Sequence, residues 1–321
     1  HIAIKLMAAF LACNVVSSCI EEVDPQSNII TGGQASDAPG AFDNFVDAIT
    51  SNLVGQFLYR PNSTNVTDAG YPCFFLERDA LGQDIAVVGK NNHYDSWYTV
   101  SERLGPGYAV CQMPWTYYSK WIKNCNIVVG LAGDNPDPSR RIGAGIAHAM
   151  RAMFYMDVAR MYAAEPYSLN KKAETLPLVT EKTTQAETYN NPRKSNEDMW
   201  AFIISDLDKA EELLKGYVRK DILKPDVSVV YGLKARAYLE TQDWANAEKY
   251  AKLAQENYTL MNEADYTSKD LGFNTPNGAW MFGVKYKEED PNIRLNDADS
   301  SWGSVMINES LSGCGYASNY G

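Results

Sequence analysis

The dominant pattern of apolar and polar positions in the chain lies between Arg141 and Pro166. Apolar residues recur there every three or four positions in two neighbouring stripes, which are Ile142, Ile146, Ala149, Met153 and Met156, and Ala147, Met150, Phe154, Val158 and Met161. A helix with so wide an apolar face packs against neighbours on more than one side. Arg151, Asp157 and Arg160 form a narrower polar strip. Because Pro166 cannot continue a helix, the pattern predicts one long core helix that stops before it.

Several more segments have helical spacing of apolar residues. The predicted helices are Ala41–Leu58, Trp115–Leu131, Ser195–Leu214, Ser228–Glu240 and Asp243–Asn257. Ser195 and Asp198 have the spacing of an N-terminal cap pair. Thr241 and Gln242 join the last two helices, whose regularly spaced small residues are typical of a tetratricopeptide pair.

The pattern changes character towards the end of the chain. Ala279–Tyr286 alternates between apolar and other residues, which predicts a strand. The charged segment Lys287–Ser301 follows and includes Glu288, Glu289 and Asp290. Paired carboxylates of a glycosidase are one interpretation of these acids. Adjacent acids in a charged loop are far more often a solvated surface, and we favour that interpretation.

The first residues have the layout of a secretory signal peptide. His1–Ser18 contains a lysine, the apolar run Leu6–Cys13 and then small residues, and it is too short to span a membrane. Val16–Cys19 is similar to a bacterial lipobox, in which the cysteine is acylated. An ordinary signal peptide with an incidental cysteine is the alternative, but Cys19 sits where cleavage is expected. Val23–Gly40 is rich in Asp, Pro, Ser and Gly, which predicts a flexible tether.

The polar segment Gly89–Arg103 is the strongest candidate for a binding site. It brings together aromatic, amide and acidic side chains, which are Asn91, Asn92, His93, Tyr94, Asp95, Trp97 and Tyr98. A sugar ring offers an apolar C–H face to Trp or Tyr and hydroxyl groups to Asn and Asp. The alternative for a single residue is that Trp97 anchors the loop on the core. We predict that the segment as a whole binds ligand.

Composition and motif content exclude several classes of function. A net charge of −11 at pH 7 argues against nucleic acid and against an anionic lipid surface as partners. His93 and His148 have no metal-ligand spacing around them, and no phosphate-binding glycine loop or nucleophile elbow occurs. We therefore expect no catalysis, no metal and no cofactor. The 20 Tyr and 7 Trp suit either a core or a surface that stacks on sugars or peptides.

Four cysteines follow the lipobox-like motif. They are Cys73, Cys111, Cys125 and Cys314. Export permits disulfides, but the spacing does not select a pairing. Cys125 falls on an apolar helical stripe, which predicts a buried thiol. His148 lies within the long apolar helix, and we expect a satisfied core or interhelical histidine there.

Three clusters of residues resemble, in the same order, motifs of the SusD/RagB-like family of Bacteroidetes outer-membrane lipoproteins. They are Tyr155, Arg160, Met161, Tyr162 and Pro166; then Arg193, Ser195, Trp200, Ile203, Ile204, Asp206, Leu207, Ala210, Leu213 and Leu214; then Ala235, Tyr238, Trp244, Ala247, Ala251 and Ala254. The resemblance extends from Cys19 to near the chain end. It implies a mainly α fold, an irregular tetratricopeptide-like helical scaffold with an appended loop-rich region containing short strands. Within it, Ile142–Tyr162 would pair with Ser195–Leu214.

The resemblance also implies a function. A protein of this family binds oligosaccharide or peptide at the cell surface and delivers it to a SusC-like, TonB-dependent barrel transporter, without catalysis. Its ligand face would include Asn92, Tyr94, Asp95, Trp97 and Tyr98, with Trp302 as a further candidate. Cys19 would carry the lipid that holds the protein on the outer membrane, facing the cell exterior.

The expected organisation is a signal peptide over residues 1–18 and a lipidated cysteine with its tether over 19–40. The helical scaffold follows over 41–270, and 271–321 begins the ligand-binding region. The chain starts with His1 and ends at Gly321 with no closing element, so we expect truncation at both ends.

Two other functions fit parts of the pattern. A tetratricopeptide-type lipoprotein scaffold would bind only proteins, through its helical face. A surface glycoside hydrolase would need an acid/base pair of carboxylates, and the sequence offers none with that arrangement.

Overall fold

A computed structural model of the chain describes residues 40–55, 59, 70–82, 99, 105–271 and 275–284. The described part is mainly helical, as predicted. Its α-helices in chain order are α1 (Ala41–Ser51), α2 (Tyr71–Leu81), α3 (Ala109–Ala132), α4 (Arg141–Tyr162), α5 (Gln185–Thr188), α6 (Asn196–Leu214), α7 (Val227–Glu240), α8 (Trp244–Gln255) and α9 (Glu263–Tyr266). A 3₁₀ turn, Asn52–Val54, follows α1. The short strands β1 (Glu174–Pro177) and β2 (Arg193–Ser195) pair antiparallel.

Helix α4 is the predicted core helix and lies at the centre of the described core. It packs against both α3 and α6, so the predicted pairing of α4 with the helix after Ser195 is confirmed. It ends at Tyr162, ahead of Pro166. Two residues of its polar strip, Arg151 and Asp157, are buried with only 2% of their surface exposed. Arg151 and Asp157 are therefore buried charges that need partners, whereas Arg160 is exposed.

Glycine lets α4 and α6 approach each other closely. A Cβ built on Gly145 would lie 2.7 Å from Leu214 Cγ, closer than real Cβ contacts. Any side chain at position 145 would push the two helices apart. Gly145 is thus explained by packing, since glycine by itself disfavours a helix interior.

The helices after α4 begin at side-chain caps. Ser195 Oγ accepts a hydrogen bond from the backbone N–H of Asp198 at 3.1 Å, which confirms the predicted cap of α6. Asp226 caps α7 and Asp243 caps α8 in the same way. Helices α7 and α8 pack on each other as predicted, and the buried Ala247 keeps them close.

Several predicted boundaries were wrong. The first helix stops at Ser51 rather than Leu58, although residues 56–58 lie outside the described part. Helix α3 begins at Ala109 rather than Trp115 and contains Pro114. A proline there costs one backbone hydrogen bond, and burial of Met113 and Pro114 in the core compensates for it. Helix α2 had no predicted counterpart.

The strand predicted at Ala279–Tyr286 is absent from its described part, residues 279–284. That part lies on the helices without a partner strand. Arg219 donates hydrogen bonds to the carbonyl groups of Trp280 and Met281, and the N–H of Gly283 donates to Ile222 O at 3.1 Å. The alternating pattern is matched neither by pairing in a sheet nor by alternating burial, since residues 279–284 are all half-buried.

The cysteine prediction is confirmed where the structure describes it. Cys125 is fully buried, and burial raises the pKa of its thiol. Cys73, Cys111 and Cys125 form no disulfides, and Cys314 lies outside the described residues.

Candidate functional site

The ligand-binding residues predicted from the sequence all lie outside the described residues. They are Asn92, Tyr94, Asp95, Trp97, Tyr98 and Trp302, and the predicted lipidation residue Cys19 lies outside them as well. Their assignment remains a prediction. The structure does describe the helices on either side of the first five residues, because α2 ends at Leu81 and α3 begins at Ala109.

Aromatic packing fixes these two helices to each other. Phe74 of α2 contacts Tyr117, Tyr118 and Trp121 of α3, with ring centroids 5.3–5.9 Å apart. All four side chains are buried. The predicted binding segment thus lies, in the sequence, between two helices that share one core.

A buried carboxylate on α4 ties both helices to the centre of the fold. Asp157 accepts hydrogen bonds from the hydroxyl groups of Tyr71 and Tyr118, each at 2.9 Å, and pairs with Arg78 at 2.9 Å. Burial and the nearby Asp157 raise the pKa of both tyrosines, so their hydroxyl groups stay protonated and donate. Asp157 is thereby fully paired although it is buried.

Glu77, next to Arg78, lacks such a partner. It is 3% exposed, and its Oε1 makes no hydrogen bond with the residues that the structure describes. Burial raises the pKa of Glu77 well above its ordinary value, although the nearby Arg78 opposes this. A neutral carboxylic acid is the state that such a site favours.

Exposed aromatic rings stand on both helices. Phe75 of α2 is 48% exposed, and the Arg78 guanidinium lies 4.7 Å from its ring centroid. Tyr108 and Trp115, at the start of α3, are 48% and 42% exposed. The ring of Trp115 meets Tyr162 edge to face at 5.4 Å, which leaves part of its surface open.

A second buried charge network joins α3, α4 and α6. Arg151 binds Asp206 through two hydrogen bonds of 2.7 and 2.8 Å, Glu181 at 2.6 Å and the side-chain oxygen Oδ1 of Asn126 at 2.8 Å. His148 Nδ1 lies 2.8 Å from Asp206, which confirms the predicted interhelical histidine. Burial alone would raise the pKa of Asp206, but the hydrogen bonds from Arg151 and His148 lower it, so the carboxylate stays charged. This network is structural, since its groups satisfy one another.

A cleft of about 230 Å³ opens beside the C-terminal end of α4, and we call it the α4 cleft. Its lining residues are Ala159, Arg160, Ala163, Ala164, Glu165, Pro166, Tyr167, Asn196, Trp200 and Glu240. Arg160 Nε lies 2.9 Å from Glu240 Oε1, which links α4 to α7. Asn196 donates from Nδ2 to the carbonyl groups of Glu165 and Asn170 at 2.9 and 2.8 Å, so the wall of the cleft is fixed.

The described residues offer neither a metal site nor a membrane-spanning helix. They contain no group of three or more His, Cys, Asp or Glu side chains able to hold a metal ion. No described helix has both the length and the apolar character needed to cross a membrane.

Solved structures share this fold. A SusD-like carbohydrate binding protein from Bacteroides vulgatus is 25% identical over 71% of this chain and 47% of its own, with a TM-score of 0.58. A SusD-like carbohydrate binding protein from Bacteroides fragilis is 15% identical over 80% of this chain and 48% of its own, with a TM-score of 0.58. Surface glycan-binding protein A from Bacteroides fluxus is 15% identical over 77% and 50%, with a TM-score of 0.54. The chain thus spans about half the length of these structures.

The described scaffold therefore has the SusD-like fold, an irregular array of packed helices. The chain is similar in fold to solved SusD-like proteins, in line with the resemblance of its three motif clusters. No protein-family model matches the sequence, and no curated protein is similar to it. The assignment rests on the shared fold together with the order of the motifs.

Sequence reasoning missed most of the polar groups described above as possible site residues. Arg160 entered as part of the polar strip and as a family motif residue, and Trp200 only as a family motif residue, while Glu77, Asn196 and Glu240 were not singled out. Their signal was weak because the α4 cleft draws on residues that are far apart in the sequence. Glu77 lies in a helix that the sequence pattern did not predict.

Proposed function

We propose that the protein binds oligosaccharide or peptide nutrients at the cell surface without catalysis, with glycan the favoured ligand. The observation that carries the proposal is the likeness to solved SusD-like proteins that are named carbohydrate or glycan binding proteins. The sequence adds an aromatic and amide-rich segment, Gly89–Arg103, whose side chains suit a sugar ring.

The described residues support a site at this segment. Phe75, Tyr108 and Trp115 stand partly exposed on the helices at its two ends. Aromatic rings of this kind stack on the C–H faces of sugars. The Asp157 network holds both helices on α4, so ligand contacts in the segment would be supported by a rigid base.

Replacing Trp97 by alanine should weaken oligosaccharide binding by about 5- to 150-fold, because loss of a stacked aromatic ring removes about 1–3 kcal/mol. Calorimetric titration of the purified protein against a panel of oligosaccharides and peptides measures the effect. The helical circular dichroism should stay unchanged.

Trp244→Ala is the matched control, since Trp244 is 62% exposed and lies on α8, which does not adjoin the segment in the sequence. It should leave binding unchanged. Loss of fold in Trp97→Ala would show instead that Trp97 anchors the segment on the core. Equal binding by Trp97→Ala and the parent would refute this assignment.

The partner in this proposal is a SusC-like, TonB-dependent barrel, and Cys19 carries the lipid that holds the protein on the outer membrane. In the proposed organisation, residues 1–18 are the leader, 19–40 the lipidated tether, 41–270 the scaffold and 271–321 part of the ligand region. The resemblance to the SusD/RagB-like family supports both the partner and the anchor.

Affinity purification from outer membranes should recover a barrel transporter with the protein. Cys19→Ala should remove the protein from the membrane fraction, because no acyl chain would be attached. Recovery of soluble proteins alone would favour the alternative function, a tetratricopeptide-type scaffold.

A further inference from the structure

The α4 cleft holds polar groups that the scaffold itself does not use. Trp200 lines the cleft and is 3% exposed, yet its indole N–H donates to no acceptor among the described residues. The only buried side-chain atoms without a partner in the described residues are Glu77 Oε1 and Arg78 Nη2, so the Trp200 N–H is not buried and is open to the surface. Asn196 is 1% exposed and uses its amide N–H groups on two backbone carbonyls, while its Oδ1 accepts from no described donor. One donor and one acceptor are therefore open in the same wall.

The ion pair at the cleft has hydrogen-bond donors and acceptors that the pair itself does not use. Arg160 Nε pairs with Glu240 Oε1 at 2.9 Å, and the side chains are 42% and 30% exposed. A guanidinium has five N–H donors and a carboxylate about four acceptor positions, so a single pair leaves most of them open. Because the two charges offset each other, the pair favours a neutral ligand that both donates and accepts hydrogen bonds.

Size restricts the ligand. A volume of about 230 Å³ is smaller than the range of about 300–1,000 Å³ typical of sites for drug-sized molecules. The cleft has room for one ring and not for a chain of rings. Tyr167, half-buried in its lining, adds an aromatic surface.

We propose that the α4 cleft is a binding site for a single hydroxylated ring, a pyranose or its methyl glycoside. Neighbouring hydroxyl groups of the ring donate to Glu240 and Asn196 Oδ1 and accept from Arg160 and the Trp200 N–H. This site uses none of the residues of Gly89–Arg103. It shares only the ligand class with the proposed function and does not rest on it.

Saturation-transfer NMR titration of the full chain tests the site. The probes are the methyl glycosides of glucose, galactose, mannose and N-acetylglucosamine. At least one probe should bind saturably, and Glu240→Gln should weaken it by about tenfold or more, since a hydrogen bond to a charged group contributes about 1.5–3 kcal/mol. Trp200→Phe keeps a ring but removes the N–H, and it should weaken binding by about two- to tenfold.

Two controls separate binding from folding. Glu248→Gln makes the same change at an exposed position on α8, where Glu248 pairs with Lys252, and it should leave binding unchanged. Thermal unfolding midpoints report whether Trp200→Phe loosens the core. Glu240 is outside the buried core, so Glu240→Gln keeps the test decisive even if the tryptophan variant is unstable.

Each other outcome overturns the proposal. The first is that no glycoside binds, and the second is that a glycoside binds equally well after Glu240→Gln. The third is that the cation methylguanidinium binds and no sugar does, which would mean that the charge of Glu240 selects a cation. Trp97→Ala separates the two sites: it should leave glycoside binding in the α4 cleft unchanged. Glycoside binding that depends on Trp97 would refute the cleft and support the proposed function. Glycoside binding in the α4 cleft, together with no oligosaccharide binding that depends on Trp97, would support the cleft and refute the assignment of the ligand site to Gly89–Arg103.

Discussion

Replacing Arg151 by methionine should lower the free energy of unfolding by about 3–5 kcal/mol, the cost of breaking a buried ion pair by removing one partner. Asp206, whose side chain is 5% exposed, would keep its charge with His148 as its remaining partner. Glu181 and the side-chain oxygen Oδ1 of Asn126 would also lose their donor. The cost arises because these groups cannot reach water when the guanidinium is absent.

Arg160→Met is the matched control, because Arg160 lies on the same helix but is 42% exposed in its pair with Glu240. An exposed pair contributes about 0–1 kcal/mol. Urea unfolding of the three proteins, followed by circular dichroism, measures the difference. Equal destabilisation by the two substitutions would show that the buried network contributes no more than a surface pair.

The dependence of stability on pH, measured in the acid range, gives a second test of this network. The pKa of Asp206 is lowered in the folded protein, so its contribution to stability is present above the ordinary pKa of 3.8 and is lost as the pH falls through the folded value. In Arg151→Met the main group that lowers this pKa is absent. The stability deficit of the variant should therefore shrink as the pH falls below about 4.

Replacing Glu77 by glutamine should change the pH dependence of stability in the opposite direction. The folded pKa of Glu77 is raised above the ordinary value of 4.5, so its stabilising contribution is fully present below that value and is lost as the pH rises through the folded pKa. Over that window the parent loses up to about 1.4 kcal/mol per pH unit relative to the glutamine variant. Glutamine has the same size and does not titrate.

The measurement is urea unfolding of Glu77→Gln and the parent from pH 4 to pH 8. The variant should gain stability relative to the parent as the pH rises. Glu187→Gln is the contrast, because hydrogen bonds from Thr184 lower the pKa of Glu187 at an exposed helix cap. That variant should lose stability relative to the parent at neutral pH. A pH-independent difference for Glu77→Gln would mean that Glu77 is ionised in the folded protein.

Long periodic segments were predictable from the sequence, and short or interrupted ones were not. Helices α4, α6, α7 and α8 show several turns of apolar periodicity, and α6 has a visible cap at Ser195. Helix α2 contains Tyr71, Glu77 and Arg78, whose burial depends on partners far away in the sequence. Local pattern carries no information on such partners.

The same reason limits prediction of the site. The buried roles of Arg151 and Asp157 follow from residues on α2, α3 and α6, so a helical pattern showed only that they share one strip. Trp200 and Glu240 meet at the α4 cleft because three helices converge there. The sugar-binding chemistry expected at Asn92 and Trp97 was predictable because both residues lie in one short segment, whose residue types can be seen in the sequence.

The two buried charges of α4 give folding a direction along the chain. All partners of Asp157 precede it, since Tyr71, Arg78 and Tyr118 lie on α2 and α3. Of the partners of Arg151, Asn126 precedes it, whereas Glu181 and Asp206 come later and Asp206 lies on α6. A chain that emerges from its N-terminus can therefore dock α4 on α2 and α3 at once, but Arg151 has its full set of partners only when α6 arrives. The scaffold is complete only when α6 has docked. The helices before α4 and the helix after it are therefore coupled in one cooperative folding step.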